Sequence, residues 1–119
     1  MHLQESGEMY LETIYVLSQQ SNAVRSIDVA EHMGYSKPSV SRAVSLLKKG
    51  GYVEMDKDSF LTLTPEGYAV AQKIFERHTV ISRWLTAMGV SQKTASEDAC
   101  KIEHVISDES FDAIKAHLE

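Results

Sequence analysis

The sequence predicts a mainly α-helical protein: a winged helix-turn-helix unit carrying a small β-hairpin, followed by a second unit that is wholly helical. Three observations carry this. Two short amphipathic stretches, 26–33 and 36–49, meet across Gly34, and the second is basic. Two short β-prone runs, 52–55 and 60–63, follow at once. The remainder reads as one long amphipathic helix and two shorter ones, with no linker, repeat or low-complexity segment. The expected division falls between residues 1–64 and 65–119.

Residues 6–20 form the first expected helix, on an apolar stripe of Leu11, Ile14, Tyr15 and Leu17 near the 3.6-residue period. Met9 and Glu12, spaced i, i+3, share one side of it. Ser21 and Asn22 break the pattern. Ser26 is the expected N-cap of a second helix reaching Met33, with Ile27, Val29, Ala30 and Met33 available for burial. Gly34 ends it.

Ser36 caps the third helix, and Pro38 sits in its first turn, where a missing N–H costs nothing. Val40, Ala43, Val44 and Leu47 make its core stripe. The opposite arc holds Pro38, Ser39, Arg42, Ser45 and Lys49, flanked by Lys37, Ser41 and Lys48, with no acid in the helix. Two short helices around a tight glycine turn, the second basic and rich in small polar residues, describe a helix-turn-helix. Arg42 suits guanine, and Ser36, Ser39 and Ser41 suit phosphates or base edges, with the helix N-terminus favouring a phosphate. The plain alternative is a solvated helix face. Gly50 and Gly51 stop this helix, and the following hairpin has the place of a wing, with Lys57 at its tip within reach of the DNA backbone.

Thr64 and Pro65 open the long helix, expected to run to about Met88 with Val70, Ile74, Phe75, Ile81, Trp84 and Leu85 as apolar positions. Ser91 caps a fifth helix over 92–106, and Ser107 with Asp108 starts the last. These helices are too few to bury all their apolar area. Ile74, Trp84, Phe111, Ile114 and Leu118 are expected to stay partly exposed, which points to a two-fold homodimer with reading heads about one DNA turn, roughly 34 Å, or a multiple apart, the plain alternative being that they close the core of the monomer.

The fifth helix carries the only cysteine, Cys100, with Glu103 and His104 three and four residues on. On a helix these positions share a face. A thiolate, a carboxylate and an imidazole together suit Fe(II), Co(II), Ni(II) or Zn(II) better than Mg(II) or Ca(II). The bland alternative is a buried cysteine beside a surface Glu–His pair.

The chain has 119 residues, 43% hydrophobic and 24% charged, as in an ordinary soluble domain. No apolar run approaches the roughly 18 residues that span a bilayer, and the N-terminus lacks signal-peptide blocks. A single cysteine and these absences suggest the cytoplasm. The net charge of −5 argues against indiscriminate nucleic-acid binding but not against a local basic patch, since phosphate contacts act over roughly 8 Å.

Several stretches in order, Glu8-Met-Tyr-Leu-Glu-Thr-Ile-Tyr15, Val29-Ala-Glu-His-Met33, Ser36-Lys-Pro-Ser-Val-Ser41, Leu63-Thr-Pro-Glu-Gly67, Arg77-His78 and Glu97-Asp-Ala-Cys-Lys-Ile-Glu-His-Val-Ile-Ser-Asp108, carry a resemblance. Over essentially its whole length the chain resembles the diphtheria-toxin-repressor family of iron- and manganese-responsive repressors. The resemblance implies a metal-activated, homodimeric winged-helix repressor of metal-uptake genes that binds a palindromic operator. The expected form is the short one, without the SH3-like third domain of longer members. It implies a DNA-binding domain over 1–64 and a dimerisation and metal-binding domain over 65–119.

By the same resemblance the main metal site falls on Met9, Cys100, Glu103 and His104, with the Cys100 carbonyl as a further ligand. Iron-type members have Met and Cys where manganese-type members have carboxylates. Met9 and Cys100 therefore imply Fe(II), with Mn(II) the runner-up and Co(II), Ni(II) or Zn(II) as substitutes. The chain departs from the family at a second site. His78 is kept, but Ser82 and Ser96 stand where stronger ligands are usual. Glu12, His78 and a shared Glu103 are the alternative second set, against a surface role for Glu12 and a capping or core role for His78.

An ion joining Met9 to Cys100, Glu103 and His104 is expected to tie the first helix to the dimerisation core and fix the two recognition helices. Two rival readings exist. One is a winged-helix regulator controlled by an organic ligand or a protein contact rather than by metal. The other is a metalloenzyme or metal carrier, disfavoured because no general base stands out beside the ligands and the basic third helix is left without a use. No enzyme activity, organic substrate or membrane partner is expected.

Overall fold

The computed structural model describes residues 5–118. Six helices and one hairpin follow in the order α1 (Glu5–Gln20), α2 (Ser26–Met33), α3 (Lys37–Lys49), β1 (Val53–Met55), β2 (Leu61–Leu63), α4 (Pro65–Ala87), α5 (Gln92–Ile102) and α6 (Asp108–Leu118). This is the mainly helical winged-helix architecture that the sequence predicts. The chain forms two compact units, Met1–Gln72 and Lys73–Glu119, so α4 contributes its first turns to one and its remainder to the other. No described helix is long and apolar enough to cross a membrane.

The first unit closes on an apolar core in which Leu11, Ile14, Val29, Val40 and Val44 are buried together with Leu47, Val53, Leu61 and Ala71. The expected stripes of α1 and α3 supply most of it. The start of α2 differs from expectation. Its N-cap is Arg25, and Ser26 is already helical, because the Asp28 carboxylate reaches back to accept the Arg25 amide at 2.9 Å. Gly34 ends α2 in the left-handed region at φ 73°, as a reversal into α3 requires. Ser36 caps α3 as expected, its Oγ accepting the Ser39 amide at 3.3 Å.

The wing is a two-stranded antiparallel hairpin with Val53 opposite Leu63 and Met55 opposite Leu61. Both strands are one residue shorter than predicted. The Tyr52 amide donates instead to Leu47 O, and its carbonyl accepts from Thr64. At the tip, the Asp56 carboxylate accepts the amides of Asp58 and Phe60 at 2.9 and 3.0 Å, which holds Ser59 at φ 69°. Leu61 N–H donates to Val24 O at 2.7 Å and fastens the hairpin to the chain before α2.

Thr64 caps α4, its Oγ1 accepting the Gly67 amide at 3.1 Å while its hydroxyl donates to Gly51 O. Gly67 is there for space. A Cβ at that position would lie 2.0 Å from the Tyr52 carbonyl oxygen.

The second unit has a smaller apolar centre of Val80, Ile81, Ala99 and Phe111, with Leu85, Ile102, Ile106, Ile114 and Leu118 packed half-buried around it. Two residues expected to stay exposed do not. Ile74 and Phe111 are buried within the chain itself, Phe111 lying under the Arg77 guanidinium with 5.6 Å to its ring centroid. Trp84, Ile114 and Leu118 are half-buried. These three are partly exposed as expected, and the exposed large apolar side chains among the described residues of this unit are Phe75, Met88 and Val105.

Candidate metal centre

The site depends on how α5 ends. The sequence pattern carries that helix to 106, but it stops at Ile102, with Glu103 as its C-cap. The amides of Val105 and Ile106 both donate to Ile102 O at 3.0 Å, so the chain folds back into a turn. The turn is held from far away in sequence. Arg77 on α4 donates from one guanidinium nitrogen to Glu103 O at 3.1 Å and to Ile106 O at 2.9 Å, and from the other to the Asp108 carboxylate. Carbonyls committed to a guanidinium need no partner from a further helical turn.

Cys100 therefore stands on the last turn of α5, Glu103 just past it, and His104 in the turn. Glu103 keeps right-handed helical backbone and donates its amide to Ala99 O, so it shares the Cys100 face as expected, while His104 lies in the turn beyond. Glu103 is fully buried. One of its oxygens is 2.9 Å from His78 Nδ1 and the other 3.3 Å from His104 Nε2. Donor atoms of His78, Cys100 and Glu103 all lie within 4.8 Å of one another. A thiol, an imidazole and a carboxylate drawn this close are a donor set for one borderline-soft divalent ion. A buried carboxylate between two imidazoles is likewise a group that counter-charge stabilises.

Ser96 Oγ is 3.4 Å from His78 Nε2, and Ser82 and Ser96 line an open cavity of about 610 Å³ with His78, Arg83 and Gln92. The hydroxyls stand where the sequence departs from the usual second ligand set. Met9 and Glu12 are half-buried on α1 in the first unit, and the Met9 carbonyl accepts the Thr13 hydroxyl at 2.9 Å.

The DNA-reading candidates lie on the exposed arc of α3 and on the wing. Ser36, Lys37, Pro38, Ser41, Arg42 and Lys48 are exposed, Ser39 is half-buried, and Lys57 is exposed at the hairpin tip. Ser36 also donates its hydroxyl to Ser39 Oγ at 2.9 Å, so its capping role is certain whatever else it touches.

Sequence reasoning quoted Arg77 only as part of a motif and gave it no role. The signal was there. Residues 74, 77, 78 and 81 are spaced as one helix face, and that face is apolar at Ile74 and Ile81. An arginine on a core-facing stripe needs acceptors, and Arg77, only 7% exposed, has found them.

Two family models cover nearly the whole chain. Residues 2–61 match the N-terminal DNA binding domain of the iron dependent repressors, and residues 64–119 match their metal binding and dimerisation domain. The chain belongs to the iron-dependent repressor family. Members of that family are DNA-binding transcriptional repressors that take divalent iron or manganese; they are not enzymes, which removes the metalloenzyme reading. The transcriptional regulator MntR of Salmonella typhimurium is 35% identical over 118 residues, covering 99% of this chain and 75% of that one. The diphtheria toxin repressor of Corynebacterium efficiens is 36% identical over 108 residues, covering 90% of this chain and 47% of that protein. The solved structure of the manganese regulator SloR superposes with a TM-score of 0.84 at 28% identity, over 99% of this chain and 54% of that chain. This repressor-family chain thus spans about half the length of two of these relatives.

Proposed function

We propose that this protein is a cytoplasmic, Fe(II)-responsive repressor of metal-uptake genes that binds a palindromic operator as a homodimer. Residues 1–64 read DNA, and residues 65–119 dimerise and hold metal. The observation that carries the reading is the gathering of His78, Cys100 and Glu103 donor atoms within 4.8 Å, in a chain whose other unit is a winged helix. When bound, the ion supplies positive charge and a fixed arrangement of ligands at the buried Glu103. The family resemblance assigns Met9 together with Cys100, Glu103 and His104 to the main ion, and Glu12 with His78 and a shared Glu103 to a second.

The protein's own residues set the response. Cys100 and His104 ligate only when unprotonated, so metal affinity falls as pH falls. The sulfur of Cys100 favours Fe(II) over Mn(II). Arg42, Pro38, Ser39 and Ser41 face the groove, while Ser36, Lys37, Lys48 and Lys57 hold phosphates. Phe75, exposed on α4, and Met88, exposed in the turn just after it, supply apolar area for a second copy. A ligand that favours the DNA-competent state 100-fold contributes about 2.7 kcal/mol, enough for a usable switch.

A second reading keeps the repressor and changes the metal to Mn(II). The likeness to the manganese regulator SloR favours it. Anaerobic titration of the apo protein with Fe(II) and Mn(II), followed by operator binding, tests both. Fe(II) is expected to support binding at the lower free concentration. Cys100→Ala and His104→Ala are expected to abolish metal-dependent binding while the dimer stays folded. Operator affinity indifferent to every divalent ion would return the protein to a regulator of another trigger.

A further inference from the structure

We propose that Arg77 is the positioning residue of the metal centre, and that its guanidinium holds the turn presenting Glu103 and His104 in ligand-ready form before any ion arrives. The inference rests on the reading of this cluster as a metal site. Arg77 meets Glu103 at its backbone carbonyl. It acts through the backbone, by holding the carbonyls of Glu103 and Ile106 from a single nitrogen at 3.1 and 2.9 Å. Its second nitrogen is fixed by Asp108, which Lys73 also holds at 3.2 Å, and its plane lies over the Phe111 ring.

The guanidinium is therefore locked on three sides, at 7% exposure. Both ends of the four-residue turn, Glu103 and Ile106, hang from it. A turn not held this way would be ordered only on binding, and its conformational entropy would be subtracted from metal affinity. The planar fork of arginine matters here. A lysine ammonium could keep the charge opposite Asp108 but presents no rigid plane to span two carbonyls and a carboxylate together. Groups that orient ligands without touching the ion are worth roughly 10- to 100-fold in affinity.

The test is an anaerobic Co(II) titration read by thiolate-to-cobalt absorbance, with the apo melting temperature and amide hydrogen exchange measured alongside. Arg77→Lys is expected to bind Co(II) roughly 10- to 100-fold more weakly. Exchange should quicken at the Val105 and Ile106 amides, whose bonds to Ile102 O close the turn, while Leu61 in the first unit keeps its protection. Asp108→Asn, which leaves both carbonyl bonds in place, should lose less affinity. Unchanged Co(II) affinity in a folded Arg77→Lys protein would overturn the proposal. So would unprotected Val105 and Ile106 amides in the apo wild type, a result independent of whether the variant folds. Failure of the wild type itself to bind Co(II) would sink the metal reading and this inference with it, whereas wild-type binding with an indifferent Arg77→Lys sinks this inference alone.

Discussion

The two units hold themselves together differently. The first is closed by apolar side chains from α1, α2, α3 and the hairpin, and its polar groups are spent on caps and turns. At the middle of the second lie a buried arginine and a buried glutamate flanked by imidazoles, with few fully buried apolar residues beside them. Buried charge is costly unless it is well paired, so the second unit depends on pairing among charged groups where the first depends on apolar contact. The reading head is built to be indifferent to its surroundings, and the other unit is built to respond to a cation.

The largest expected effect breaks the first unit alone. Gly67→Ala drives a Cβ to within 2.0 Å of the Tyr52 carbonyl oxygen, and backbone on both sides must move. A loss of about 3 kcal/mol is expected in urea denaturation, at the upper end for overpacking. Unaltered stability would show that the wing and the start of α4 are less tightly joined than they look.

A slightly smaller effect belongs to the second unit. Divalent metal at 100 times its dissociation constant is expected to stabilise the wild type by about 2.7 kcal/mol. Trp84, the only tryptophan, reports this unit by fluorescence. Glu103→Gln should abolish that gain, yet its apo form should melt within about 1 kcal/mol of apo wild type, since glutamine keeps an acceptor for His78 and sheds a buried charge. A full metal gain in Glu103→Gln would remove this carboxylate from the ligand set.

The contrast between units also explains what could be read from the chain. Local physics was legible. Ser36, Thr64 and Ser91 cap the helices expected of them, and Gly34 turns where a positive φ is needed. The pair of helices and the hairpin follow from period and turn chemistry alone. What escaped was set by partners distant in sequence. The apolar period runs through Ile102 to Ile106, which hid the early end of α5; Arg77 on α4 holds the Glu103 and Ile106 carbonyls of the turn that follows. Ile74 and Phe111 looked like interface residues on a helical wheel, and only the packing within their own unit shows them filled in. Arg25 displaced Ser26 as N-cap because Asp28 was free to reach back, a choice between two competent neighbours. The sequence reading grouped Glu12, His78 and a shared Glu103 as an alternative second set, and in the fold His78 Nδ1 lies 2.9 Å from the Glu103 carboxylate.

The smallest effect is on the pH dependence of the second unit. Hydrogen bonds from Lys73 and Arg77, with the charge of Lys73, hold the Asp108 carboxyl below its usual value. A lowered carboxyl stabilises the folded state above its unfolded value, near pH 4, and ceases to as pH falls through the lowered one. Trp84-detected stability should therefore decline in acid below about pH 4, and Asp108→Asn should flatten part of the decline. Asp108 is exposed, so the change is modest, and a variant with the wild-type acid profile would assign the decline to the buried groups.

The helix shared by both units sets a rule for dissecting the molecule. Tyr68 stacks edge-on against Tyr15 with ring centroids 5.6 Å apart, and Ala71 is sealed into the core beside Leu11 and Val29. A fragment severed where α4 begins would lose both, along with the glycine seated on Tyr52, and would expose a raw apolar floor. A reading head released intact must carry the opening turns of that helix with it, a short handle that belongs by sequence to the half left behind.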